Sequence, residues 1–168
     1  MLGFYENFPA NIHRIESLTT LLSSKSLQQK LMKVLNKINR EKFSFEEVAC
    51  PTVPDCTIIL EAGLAEAKSF NYIDEEETKK VFTALRKTTL QAMDFFFAVR
   101  YYKGAGEKKT PLKFDYYLMR FVFGRDSVEI QVFHERGPRY ISPEDLVTFL
   151  VNEINKTSTR KVLKKVEP

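Results

Sequence analysis

The segment Leu112–Glu135, LKFDYYLMRFVFGRDSVEIQVFHE, decides the fold. Gly124-Arg125-Asp126 is a turn signal between two runs rich in Val, Ile, Phe and Tyr. The segment therefore predicts a hairpin, with one strand over Leu112–Phe123 and its antiparallel partner over Ser127–Glu135. Closing the turn there sets Phe123 opposite Val128, Phe121 opposite Ile130, Met119 opposite Val132 and Tyr117 opposite His134. Successive side chains on a strand point to opposite faces, so these eight residues share one face, which is apolar and is expected to pack on the core. The other face holds Phe114, Tyr116, Leu118, Arg120 and Val122 beside Glu129, Gln131, Phe133 and Glu135. Antiparallel sheets commonly solvate one face, which then turns polar; this one stays mixed. Two readings compete for it. In the first, an N-terminal helix pair covers part of the face and Arg120 pairs with Glu129 or Glu135. In the second, the face is an open platform on which rings and Arg stack single-stranded bases. The Gly-Phe-Gly-Phe core of the aromatic octapeptide of RNP-type sheets is absent.

Working outward, Asp94–Lys103 reads as a third strand, dense in Phe, Tyr and Val. Gly104–Pro111 is a polar connector between two strands. Its glycines and lysines are therefore not a phosphate loop, which joins a strand to a helix N-terminus. Downstream, Gly137-Pro138 ends the hairpin, and Ser142-Pro143-Glu144-Asp145 opens a helix whose inner face is Leu146, Val147, Leu150 and Ile154. Near the N-terminus, Ile12, Ile15, Leu18 and Leu22 recur at helical spacing and predict a helix over Ala10–Leu22. Ser26 with Gln29 then predicts the cap of a second helix, Leu27–Arg40. Phe43–Val48 and Thr57–Leu60 read as strands, Gly63 as a break, and Leu64–Ile73 as a further extended segment. Asp74 with Glu77 starts a helix that buries Val81, Phe82 and Leu85 and exposes Lys79, Lys80, Arg86 and Lys87. The expectation is one α+β domain over residues 1–168, with an antiparallel sheet of about four to six strands packed by helices. Residues 1–42 form its helical N-terminal part, 43–155 its sheet with helices, and 156–168 a basic, frayed tail.

Composition bounds the function classes. The chain has 168 residues, 43% of them hydrophobic and 29% charged, which places it with globular domains and against wholesale disorder. No apolar run approaches the ~20 residues that span a bilayer, and the first residues lack a basic-then-apolar signal. We therefore expect a cytoplasmic protein without a membrane partner. Cys50 and Cys56 flank a proline-rich loop at a spacing that allows a disulfide, but read as two reduced thiols at the ends of buried strands. His13 and His134 are far apart with no second Cys pair, so no metal site is expected. No cofactor is expected either. The fourteen Phe and seven Tyr are the compositional excess, and ten of them lie between Phe95 and Phe123.

Three functional readings remain. His134, Glu135 and Arg136, at a strand end, are the candidate catalytic residues: a general base, its orienting group and an anion holder. No nucleophile elbow accompanies them, so an enzyme is not the preferred reading. The basic features are more coherent. Lys30, Lys33, Lys37 and Arg40 form one helical stripe, Lys79, Lys80, Arg86 and Lys87 another, and Arg160, Lys161, Lys164 and Lys165 a third, on a chain of net charge +4. Such clusters are the electrostatic footprint of nucleic-acid binding. The expected function is thus a non-catalytic module for RNA or single-stranded DNA. Its candidate binding residues are Lys30, Lys33, Lys37, Arg40, Arg100, Tyr102, Tyr116 and Arg120. The alternative is a protein-interaction or homo-oligomeric subunit that buries the aromatic sheet face against a partner or a second copy.

Overall fold

The structure is a computed structural model that describes residues 1–104 and 108–166. The middle of the polar connector, Ala105–Glu107, lies outside the described residues, as does the end of the basic tail (167–168). In chain order the elements begin β1 (Arg14–Thr20), α1 (Ser24–Ile38), β2 (Lys42–Ser44), α2 (Phe45–Val48), β3 (Cys56–Glu66) and β4 (Ser69–Tyr72). They continue α3 (Glu75–Leu85), β5 (Ala92–Lys103), β6 (Thr110–Pro111), β7 (Asp115–Gly124), β8 (Ser127–Arg136), α4 (Pro143–Asn155) and β9 (Leu163–Lys165). The strands form one antiparallel sheet in the order β2-β3-β5-β7-β8-β1-β9, with β4 paired to β3 and β6 to β5.

The hairpin has the expected register, Phe123 on Val128 through Tyr117 on His134. A bulge follows, so that Tyr116 meets Arg136 and Glu135 is the extra residue. The alternation then propagates across the sheet. Ile58, Leu60 and Ala62 of β3, Phe95, Phe97 and Val99 of β5, Met119 and Phe121 of β7, Val128, Ile130 and Val132 of β8 and Leu18 of β1 are all buried on one face. Helices α1 and α4 pack there through Leu27, Leu31, Leu35 and Ile38 and through Leu146, Val147, Leu150 and Ile154. Each such side chain contributes about 1.5–3 kcal/mol by leaving water. Helix α4 starts as expected, with Pro143 in its first turn and the Ser142 hydroxyl accepting from the Asp145 N–H at 3.1 Å. Asp74 caps α3 through the Glu77 N–H in the same way. Among the described residues, no helix is long and apolar enough to cross a membrane.

Among the described residues the sheet has nine strands rather than four to six. Strands β2, β4, β6 and β9 are two to four residues long, too short to show a period. The expected first helix is also a strand. In β1, Leu18 and Thr20 turn inward while Ile15 is 53% exposed, so the helical spacing of Ile12, Ile15 and Leu18 was a coincidence within a period of two. The N-terminal helical pair therefore reduces to α1, which starts earlier than expected because Ser23, not Ser26, is its cap: the Ser23 hydroxyl accepts from the Ser26 N–H at 3.1 Å. The expected strand Phe43–Val48 divides into β2 and the single turn α2. Gly63 does not break β3. It lies inside the strand, where an added Cβ would stand 3.2 Å from Phe70 Cβ, and its absence lets β4 close on β3. The tail is not simply frayed. Val162 and Leu163 are buried, the Asn155 side chain accepts from both their N–H groups, and β9 adds to β1. Cys50 and Cys56 are free thiols, but only Cys56 is buried; Cys50 lies exposed in its loop.

The mixed sheet face is covered in part by the extended N-terminus, not by helices. Gly3 inserts between β3 and β5: its N–H donates to Ala65 O and its carbonyl accepts from the Asp94 N–H, both at 2.7 Å. Asp94 and Arg120 are cross-strand neighbours, and this pairing replaces the expected partners Glu129 and Glu135. Arg120 Nε donates to Asp94 Oδ1 at 2.6 Å and the guanidinium donates again to Oδ2 at 2.8 Å. The Asp94 carboxylate is fully buried, and the Tyr5 N–H reaches it at 2.7 Å. Phe4 and Phe8 lie on the guanidinium, 5.2 and 4.3 Å from their ring centres. Arg120→Ala leaves this carboxylate without its counter-charge and is expected to cost about 3–5 kcal/mol in urea unfolding; a loss within 1 kcal/mol would make the pair a surface-like ornament.

Candidate nucleic-acid interface

The structure divides the candidate binding residues between two surfaces. Lys30, Lys33 and Lys37 lie on the outer side of α1, the helix that packs on the buried face of the sheet, and Arg40 lies just past its C-terminal end. Arg100, Tyr102, Tyr116 and Arg120 alternate with the buried Val99, Tyr101, Tyr117 and Met119, so they belong to the opposite sheet face. The two sets do not form one site.

What the fold brings together instead is α1 and α3. The helices lie antiparallel. At one end the Asn36 side chain donates to Glu75 Oε2 at 3.2 Å; at the other, Gln28 exchanges two hydrogen bonds with the Leu90 backbone at 2.7 and 3.1 Å. Between them runs a groove of about 580 Å³ lined by cations from both helices and their ends, Lys33 of α1 and Arg40 just past it, Lys79 of α3 and Arg86 at its C-cap. All four are exposed, and none has a carboxylate oxygen within 4.0 Å among the described residues. The other members of both stripes have local partners or turn elsewhere. Lys37 lies 3.7 Å from Glu41, and Lys30 donates to the hydroxyls of Thr157 and Ser158 at 2.8 and 3.1 Å. Lys80 binds Glu66 at 2.5 Å, which holds the Glu66 carboxyl below and the Lys80 ammonium above their usual ranges. Phe82 lies in the groove, half-buried, with Lys33 Nζ 5.5 Å from its ring centre. Sequence periodicity found each stripe, but their shared groove depends on a tertiary contact that no local pattern encodes.

On the outer sheet face the aromatic groups mostly engage one another. Phe96 and Tyr116 stack at 5.4 Å, Phe114 meets Tyr116 edge-on at 6.5 Å, and Arg100 lies 5.1 Å over Phe114 with Glu61 at 2.6 Å. Tyr102, half-buried, is the β5 residue facing Pro111 of β6. A second cleft, about 470 Å³, opens between this face and the N-terminal segment, lined by Tyr5, Phe70, Phe96, Leu118 and Phe133 with Lys68 and Glu135.

The catalytic candidates do not converge. His134 Nε2 lies 2.8 Å from Asp115 Oδ1, but Glu135, the bulge residue, and Arg136 after it are exposed. Asp115, which sequence reasoning passed over, is the centre of this cluster. It is fully buried, and its oxygens also accept from the Tyr101 hydroxyl at 2.7 Å and from the Arg139 and Tyr140 N–H groups at 2.6 and 2.9 Å. Its signal was present: a carboxylate two residues before Tyr117 on the core face needs buried donors. The loop reaches it because Gly137 adopts φ +111° and carries no Cβ, which would stand 2.2 Å from Phe114 O. The carboxylate is thus a latch that ties residues 137–141 to the sheet, and Tyr117 adds a bond to Ile141 O. The two histidines, distant in sequence, meet here: His13 Nδ1 accepts from the His134 N–H at 2.9 Å and its ring stacks on Phe133. Burial, then Arg139, holds His13 below the usual histidine range. Among the described residues no three His, Cys, Asp or Glu side chains are grouped to hold a metal ion.

Burial raises the Tyr101 and Tyr117 hydroxyls well above their ordinary range, with the Asp115 carboxylate adding to both. A hydroxyl raised on folding stabilises the folded state fully below the unfolded value of about 10 and progressively less as pH rises past it. Alkaline titration followed by tyrosinate absorbance should show these two of the seven tyrosines ionising only with unfolding, and Tyr101→Phe should flatten the alkaline loss of stability. Ionisation of all seven before unfolding would contradict the latch. Compared with known proteins, the chain matches no family model, no curated protein and no solved structure.

Proposed function

We propose that the protein is a non-catalytic nucleic-acid-associated module that binds RNA or single-stranded DNA through the helical layer. The observation that carries this reading is the convergence of two basic stripes, forty-odd residues apart in sequence, on one groove whose four cations lack carboxylate partners among the described residues. Isolated solvated lysines are common on helices; clustered ones repel each other and are relieved by a polyanion, whose condensed counterions are released on binding. Glu75 at the Arg40 end makes the groove asymmetric, which favours one direction of entry for a charged strand. The enzymatic reading lacks comparable support, because both oxygens of Asp115 are occupied and Glu135 and Arg136 point away from His134.

The test is fluorescence anisotropy with a labelled single-stranded oligonucleotide over a salt series. Binding should weaken as salt rises, and Lys79→Ala with Arg86→Ala should flatten the log–log slope by about 1.4. Arg125→Ala, in the β7–β8 turn, should change neither affinity nor slope. Undetectable binding at low salt, or affinity indifferent to salt, overturns the reading.

A second reading is favoured by the aromatic cleft under the N-terminal segment: a protein partner, in the first instance a second copy of this chain, seated on Phe96, Leu118 and Phe133. It expects a dimer in light scattering that Phe133→Asp dissociates. A monomer at every concentration removes the homo-oligomeric form.

A further inference from the structure

We infer that Phe82 is a stacking platform for a nucleobase, so that the α1–α3 groove selects single strands over duplexes. This rests on the reading of that groove as a nucleic-acid interface and adds the residue that discriminates. Phe82 sits three residues after Lys79 and four before Arg86, the helical-conformation C-cap of α3, spacings that place all three on one side of the helix. Across the groove Lys33 lies over the ring at 5.5 Å. The ring is half-buried, fixed from below by the core and open to the groove, with cations on both sides of it. No second aromatic ring packs against it among the described residues.

A single strand fits this chemistry and a duplex does not. Packed helices have axes about 8–10 Å apart, so the ring between them is recessed. A paired base already has both faces covered by its neighbours and cannot reach it. An unpaired base can leave its stack, lie on the ring in place of the Lys33 ammonium, and leave the flanking phosphates to the lysines and arginines. Such stacking tolerates any base, because every base has a π-face.

The experiment compares one sequence as a labelled single strand and as a duplex at fixed low salt, with the wild-type chain, Phe82→Leu and Phe82→Tyr. Phe82→Leu should lose about tenfold in single-strand affinity while its duplex affinity and salt slope stay as in the wild type; Phe82→Tyr should retain wild-type binding. A fluorescent base analogue in the single strand should be quenched on binding the wild-type chain, a readout that needs no variant to fold. Unchanged single-strand affinity in Phe82→Leu, an equal loss for both forms, or no quenching overturns the stacking role and leaves the electrostatic groove standing. No salt-sensitive binding by the wild-type chain overturns both.

Discussion

Three donors converge on the Asp94 carboxylate, which has no exposed surface: two from Arg120 and the backbone N–H of Tyr5. A buried charge is tolerated only when it is paired and its remaining acceptor sites are filled. That constraint fixes what surrounds it. Arg120 must lie flat on the outer sheet face; Phe4 and Phe8 then cover the guanidinium, and the N-terminus is held between β3 and β5. The gap between the end of β3 and the start of β5 is closed by this splice.

Asp115 does the same work on the inner face at the other end of the β5–β7 pair. Its donors come from β5, from β8 and from the loop that leads into α4. One carboxylate therefore closes the chain over the outer face and the other closes it toward the helices. Both arginine and histidine near these carboxylates, which as isolated sequence features suggested ligand contacts, are engaged in holding the fold.

Legibility in the sequence followed the range of the interaction. The β7–β8 register could be read because both strands alternate over a long run around an unambiguous turn, and α3 and α4 because their caps are local. Strand β1 could not, because only Leu18 and Thr20 are buried on it and Arg14 and Glu16, which pair with each other, occupy its other inward positions. That leaves too few apolar residues to reveal a period of two. The Asp94–Arg120 and Asp115–Tyr101 pairs depend on which strands are neighbours, as does the meeting of the two basic stripes. The separation of α1 from the outer sheet face followed from parity alone and was legible in principle once α1 was known to pack on the core face.

The compositional excess of aromatic residues pointed toward the sheet, yet many rings on its outer face already engage other rings or an arginine. Its outer rings stack on one another, Arg100 is held by Glu61 and Phe114, and Arg120 lies beneath two phenylalanines. A base arriving there would have to displace contacts of the same kind as those it brings. In the helical groove the ring of Phe82 has, among the described residues, no aromatic partner and is faced by a lysine ammonium, which is strongly hydrated and keeps its attraction for a phosphate when it moves aside. On the proposed reading a base exchanges that cation–π contact for a stack plus a phosphate contact, which makes one aromatic residue among cations without carboxylate partners among the described residues a better basis for binding than rings that already engage each other.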